Sequence, residues 1–140
     1  MIVLDTNVLS ELMRAEPSER VVQWIAKQPA GELFTTAVTE AEIFYGIKLL
    51  ARGKRRDLLL EAAEAMFAED FVDRVFGFES GAARLFAGIA AHRRAADKPI
   101  QHADAQIAAI AQLHNAKLAT RNAADFSDCG VEVIDPWGGE

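Results

Sequence analysis

MIVLDTN, residues 1–7, decides the fold: an apolar run too short for a helix stops at Asp5 and turns at once into Thr6-Asn7. Ile2, Val3 and Leu4 lack polar alternation, as expected of a strand buried on both faces in a parallel sheet. VLSELM (8–13) follows directly as a short helix. Outward from this unit the alternation repeats. SERVVQWIAKQ (18–28) carries an apolar stripe of Val21, Val22, Trp24 and Ile25, and Pro29-Ala30-Gly31 ends it. ELFTTA (32–37) reads as a second strand. From Thr39 the spacing of Ile43, Phe44, Ile47 and Leu50 is helical, stopping near Gly53. RRDLLLEAAEAMFAEDF (55–71) is rich in helix formers. VDRVFGF (72–78) is the third strand, SGAARLFAGIAAHRRAA (80–96) a helix broken by Pro99, and DAQIAAIAQLHNA (104–116) another helix. KLATRN (117–122) and VEVID (131–135) complete the strands. Strands alternating with helices, without hairpin signals or internal repeats, predict an α/β fold. Its sheet is mainly parallel, with helices on both faces, in a single domain spanning 1–140.

The bulk properties narrow the function. At 140 residues, 51% hydrophobic and 26% charged, the composition is globular. No apolar run approaches the roughly 18 residues of a membrane span. The start is not expected to be a signal peptide, because a basic leader is missing and Asp5 interrupts the apolar stretch. Cys129 is the lone cysteine, which excludes an internal disulfide and fits a reducing cytoplasm. A net charge of −6 argues against coating nucleic acid by charge neutralisation. It leaves room for an enzyme whose acidic site meets phosphate through bound cations. Two local basic runs, Lys48–Arg56 and His92-Arg93-Arg94, read as solvated helix faces or as a phosphate-contacting rim.

In parallel α/β sheets functional groups collect beyond the carboxyl ends of the strands. Asp5 ends strand one there, Glu42 follows strand two, and Asp125 follows strand four. Asp104 starts the helix leading into strand four, which by itself does not place it at that edge. Each acid has a structural reading. Asp5 can bond its own turn, Glu42 can close a T-E-A-E capping box with Thr39, Asp104 can favour its helix start, and Asp125 can be solvated. Together they suggest more, because Asp5 and Asp104 sit in apolar surroundings and buried carboxylates need partners. No Lys or Arg recurs beside all four, whereas a divalent cation satisfies several at once. Oxygen ligands suit Mg2+ or Mn2+, and the His and Cys residues lack zinc-site spacing. Such a site suits phosphodiester hydrolysis, and without a cation the clustered acids raise one another's pKa.

Four blocks, MIVLDTNVLSEL, TTAVTEAEIFYGI, HADAQIAAIA and LATRNAADF, in this order resemble the PIN-domain ribonucleases, particularly the toxin subunits of VapBC-type toxin–antitoxin pairs. Haloacid dehalogenase phosphatases also place an Asp after strand one but need another two residues on, where this chain has Asn7. The resemblance implies five parallel strands in the order 3-2-1-4-5 and a metal-dependent endoribonuclease using Mg2+ or Mn2+. Asp5 and Asp104 match its metal-binding acids, and Glu42 closes the site from the other side. The fourth acid of the family falls at Asn122 or at Asp125 here. Asp125 is taken as the carboxylate and Asn122 as a hydrogen-bonding group, with Thr6, Asn7 and Thr120 orienting acids and water. Also implied are an RNA substrate, a homodimer, a small cognate antitoxin that blocks the cleft, and operator DNA contacted only through that antitoxin. Trp24, Phe44 and Phe67 are core residues or interface anchors. The rival reading is a non-catalytic module that binds metal and antitoxin within a DNA-binding autoregulatory complex.

Overall fold

The structure, a computed structural model, describes residues 1–138. The chain runs β1 (Ile2–Leu4), α1 (Thr6–Leu12), α2 (Glu19–Lys27), β2 (Leu33–Thr36), α3 (Ala37–Lys48) and α4 (Lys54–Ala65). It continues with β3 (Val75–Phe76), α5 (Ser80–Ala95), α6 (His102–Leu113), β4 (Lys117–Ala119) and β5 (Val133–Ile134). A single π-helical turn, Met66–Asp70, extends α4, and a 3-10 turn, Ala123–Phe126, follows β4. The strands pair in parallel in the order β3-β2-β1-β4-β5, as the resemblance implied.

The two-residue side-chain period of a strand explains why β1, covered on both faces, is apolar throughout. Ile2 and Leu4 enter one core with Leu33, Val8, Leu9 and Ile43. Val3, between them, enters the other core with Leu118, Ile107 and Phe126. Phe67 is buried in the first core, with Trp24 and Phe44 packed against it, so the packing reading holds for all three. Among the described residues, no helix is long and apolar enough to cross a membrane.

The regular elements are shorter than the sequence patterns. Strand three, read over 72–78, pairs only at Val75 and Phe76, because Asp73 turns the chain with φ of 59°. The helix read over 55–71 ends as an α-helix at Ala65 and widens into the π turn. Strands four and five pair over three and two residues.

β1 and β4 are neighbours, and the chain runs from β1 towards β2 but from β4 towards β5, on opposite sides of the sheet. The carboxyl ends of β1 and β4 therefore flank a switch point, where a crevice opens by geometry alone. Helix α6 begins at this crevice: α5 and α6 form a hairpin in which Gly81 lies beside Leu113, leaving the 96–101 bend at the cleft.

Candidate active site

Asp5 leaves β1 with its N–H bonded to Ala119 O at 2.9 Å, so main-chain pairing with β4 sets its position. Its backbone is extended (φ −71°, ψ 162°) and its Oδ1 accepts the Thr6 N–H at 2.8 Å, capping α1. The turn-capping reading is thus correct, but it occupies only one oxygen. Oδ2 accepts the Thr120 hydroxyl at 2.7 Å and the Asn7 amide at 3.3 Å. Asn7 also donates to Thr120 Oγ1 at 3.1 Å and accepts the Arg121 N–H at 3.3 Å. Thr120, fully buried, takes the Asn122 N–H as well, so the turns after β1 and β4 are stitched together around one carboxylate.

Glu42 is placed differently from its capping-box reading. Helix α3 starts two residues before Thr39, and Thr36 caps it by accepting the Thr39 N–H at 3.0 Å. Freed from capping, Glu42 stands exposed on α3 and accepts the Thr6 hydroxyl at 2.6 Å, with Thr39 Oγ1 3.1 Å behind it. Asp104 is the third residue of α6 and half-buried. Among the described residues its side chain has no hydrogen-bond or ion-pair partner. Asp125 is exposed on the 3-10 turn after β4. All four acids, with Thr6, Asn7 and Asn122, line one cleft of about 610 Å3. Thr120 lies beneath it.

Electrostatics separate the acids. Burial pushes Asp5 above the ordinary carboxylate range, aided by Glu42 and Asp125 and opposed by its Thr120 and Thr6 hydrogen bonds. Asp104 is pushed up to about 6, by burial first and then by the charges of Asp5, Asp125 and Glu42, with Arg93 opposing. Glu11 is the instructive contrast. It is also buried, yet it accepts the Ser18 N–H at 2.8 Å and two Arg14 bonds at 3.3 Å, and these hold it below its ordinary value. Glu11 is thus a satisfied structural acid, whereas Asp104, raised and without a bonded partner in a cleft, is a candidate site residue.

The donor set is hard oxygen throughout, with no Cys or His in the cleft wall, which suits Mg2+ or Mn2+ rather than zinc. Among the described residues, no three His, Cys, Asp or Glu side chains form a ready-made cage for a metal ion. The acids share a cleft, and Glu42 and Asp125 are its exposed acidic members.

Sequence reasoning missed Arg93. It belonged to a basic run read as solvated or rim-forming, yet it is only 6% exposed and lines the cleft. The signal was present: Arg93 falls four residues after Ile89 and eleven after Ala82, on the buried stripe of α5. Ser10 and Gln101 also line the cleft, and no pattern singled them out.

The PIN domain family model matches residues 2–131. The VapC ribonuclease Y4jK of Sinorhizobium fredii is 39% identical over 98% of both chains. The toxin FitB of Neisseria gonorrhoeae is 37% identical over 98% of this chain and 99% of its own. A solved structure of FitAB bound to an IR36 DNA fragment superposes with a TM-score of 0.93 at 37% identity, covering 100% of this chain and 98% of that one.

Proposed function

The chain belongs to the PIN-domain family, and we propose that within it this protein is the toxin of a type II toxin–antitoxin pair. Its activity is hydrolysis of RNA phosphodiester bonds by a Mg2+- or Mn2+-dependent endoribonuclease. One observation supports this most: Asp104, half-buried and partnerless, shares an open cleft with Asp5, Glu42 and Asp125 at the switch point of the sheet. An acid left unsatisfied at that cost is accounted for by a cation that comes with substrate. Asp5 and Asp104 would hold it, with Glu42 and Asp125 closing from the rim. When bound, the ion supplies positive charge beside the phosphorus oxygens and lowers the pKa of a water.

The chain's own groups set the geometry. Thr120 and Asn7 fix the Asp5 carboxylate through Oδ2, so that it does not rotate as substrate arrives. Thr6 holds Glu42 against the cleft by a single short bond of 2.6 Å. Asn122 offers an amide at the rim for a phosphate or ribose oxygen. A small cognate antitoxin would inhibit by placing a basic side chain among these carboxylates. The related FitAB complex, solved bound to an IR36 DNA fragment, supports the reading that this protein meets operator DNA through an antitoxin. A homodimer and a cytoplasmic location belong to the same reading.

The test uses purified, antitoxin-free protein with structured RNAs and Mg2+ or Mn2+, beside Asp5→Asn. Metal-dependent cleavage by the wild type alone is expected; equal cleavage by both, or none across a broad panel, overturns it. The open arrangement of the acids favours one other reading, a non-catalytic module binding the antitoxin. Unchanged cellular toxicity of Asp104→Asn would select it.

A further inference from the structure

Arg93 is a buried cation without a carboxylate partner: among the described residues it forms no ion pair. All its bonds go to neutral acceptors. Nε donates to Lys98 O at 2.7 Å, and Nη1 donates to Asp125 O and Ser127 O, each at 2.9 Å, and to Cys129 Sγ at 3.4 Å. Burying a guanidinium with no bonded carboxylate is costly, and a neutral residue of similar volume would pack α5 at less expense. The rigid fork does something a neutral residue does not: it ties main-chain carbonyls on both sides of Phe126 to the end of α5.

We propose that Arg93 is the positioning residue of the cleft, clamping the 122–129 segment so that the Asp125 carboxylate is presented to the other three acids. Phe126, only 2% exposed, anchors this segment in the core. The bonds to the carbonyls of Asp125 and Ser127 add an anchor on either side of it, while the Asp125 side chain stays exposed. The same guanidinium reaches Lys98 in the bend between α5 and α6, so one side chain registers the Asp125 turn against the start of the helix that carries Asp104. His92, one residue earlier, adds a peripheral tie to Asp128 at 2.5 Å. The inference rests on the nuclease reading only for its kinetic consequence.

The experiment compares wild type with Arg93→Lys, Arg93→Met, Asp125→Asn and the double variant Arg93→Lys/Asp125→Asn. Without divalent cation, hydrogen–deuterium exchange of residues 122–129 is expected to quicken about tenfold in both Arg93 variants, with β1 and α6 unchanged. Arg93→Lys keeps the charge, so its loss assigns the effect to the fork. With Mg2+ and RNA, kcat is expected to fall about tenfold at little change in KM, and to fall no further in the double variant than in Asp125→Asn alone. Unchanged exchange over 122–129, or a uniform rise that includes β1 and α6, overturns the clamp. So do kcat losses that multiply in the double variant. If wild type cleaves no RNA, the nuclease reading fails separately and exchange alone decides Arg93. If Arg93→Met does not fold, Arg93→Lys carries both measurements.

Discussion

Thr120 donates to Asp5 Oδ2 at 2.7 Å across 115 positions of sequence, joining the carboxyl ends of β1 and β4 at a single oxygen. Parallel pairing of these strands brings the two residues together, and the hydroxyl then partly offsets the burial that raises the Asp5 pKa. Thr120→Val keeps the shape and removes the donor. The Asp5 carboxyl then moves further up, so more of it is protonated at a given pH. RNA cleavage by Thr120→Val is expected to drop about tenfold in kcat/KM near neutrality, with a deficit that widens as pH is lowered. A pH profile of both proteins measures it, and parallel profiles would refute the coupling.

Asp104 makes a less intuitive prediction about stability. Its folded value of about 6 lies above the ordinary 3.8, so the folded state binds more protons than the unfolded one between those values. The stabilisation this confers is complete below the lower value and is lost as pH rises through the higher. Asp104→Asn, which carries no charge at any pH, escapes that loss. Without divalent cation the variant should melt with wild type near pH 4 and about 3 °C above it near pH 7. Millimolar Mn2+ should raise wild type by mass action and leave the variant behind. Thermal melts at the two pH values, with and without Mn2+, check both halves.

Particular residues show what the sequence could carry. Ile2-Val3-Leu4 announced a doubly covered strand because a side chain alternates faces whether or not its neighbours are known. Asp5 and Asp125 had an address once strands were assigned, since topology places the residue after each parallel strand at one edge. Asp104 did not, because the α5–α6 hairpin, rather than a strand, delivers it to the cleft, and hairpin geometry depends on packing of Gly81 against Leu113. Glu42 was found for its position and given the wrong local alternative, since both Thr36 and Thr39 are plausible caps and only the fold chooses Thr36. The roles of Glu11 and Arg93 escaped notice because each depends on main-chain groups that only the folded chain brings to it, the Ser18 N–H for one and the Asp125 and Ser127 carbonyls for the other.

Glu11 should behave as the opposite of Asp104. Its Ser18 N–H bond, and then the Arg14 side chain, hold its folded pKa below the ordinary 4.5, so the stabilisation it supplies exists above that value and is lost as pH falls through the folded one. Glu11→Gln should lower the melting temperature at pH 7 and converge on wild type in acid. The kcat of the folded variant should stay near wild type, because Glu11 secures the α1–α2 connection and is not part of the cleft wall. Melting curves across pH, paired with initial rates at a temperature where both proteins are folded, separate these effects.

The resemblance puts the fourth acid of the proposed site at Asn122 or at Asp125. Both line the cleft, and Asn122 is tied by its own N–H to Thr120, which in turn holds Asp5. Asp125 stands one turn further out, and its side chain has no hydrogen-bond partner among the described residues. If Asp125 supplies the fourth carboxylate, Asp125→Asn weakens Mn2+ binding about tenfold, while Asn122→Asp tightens it by adding charge beside Asp5. The double exchange, Asn122→Asp with Asp125→Asn, then recovers much of the lost affinity by moving the carboxylate inward. Calorimetric Mn2+ titration of the four proteins reads this directly. An Asp125→Asn affinity equal to wild type would assign the cation to Asp5, Glu42 and Asp104 alone, and Asn122→Asp would then bind more tightly regardless of what occupies 125.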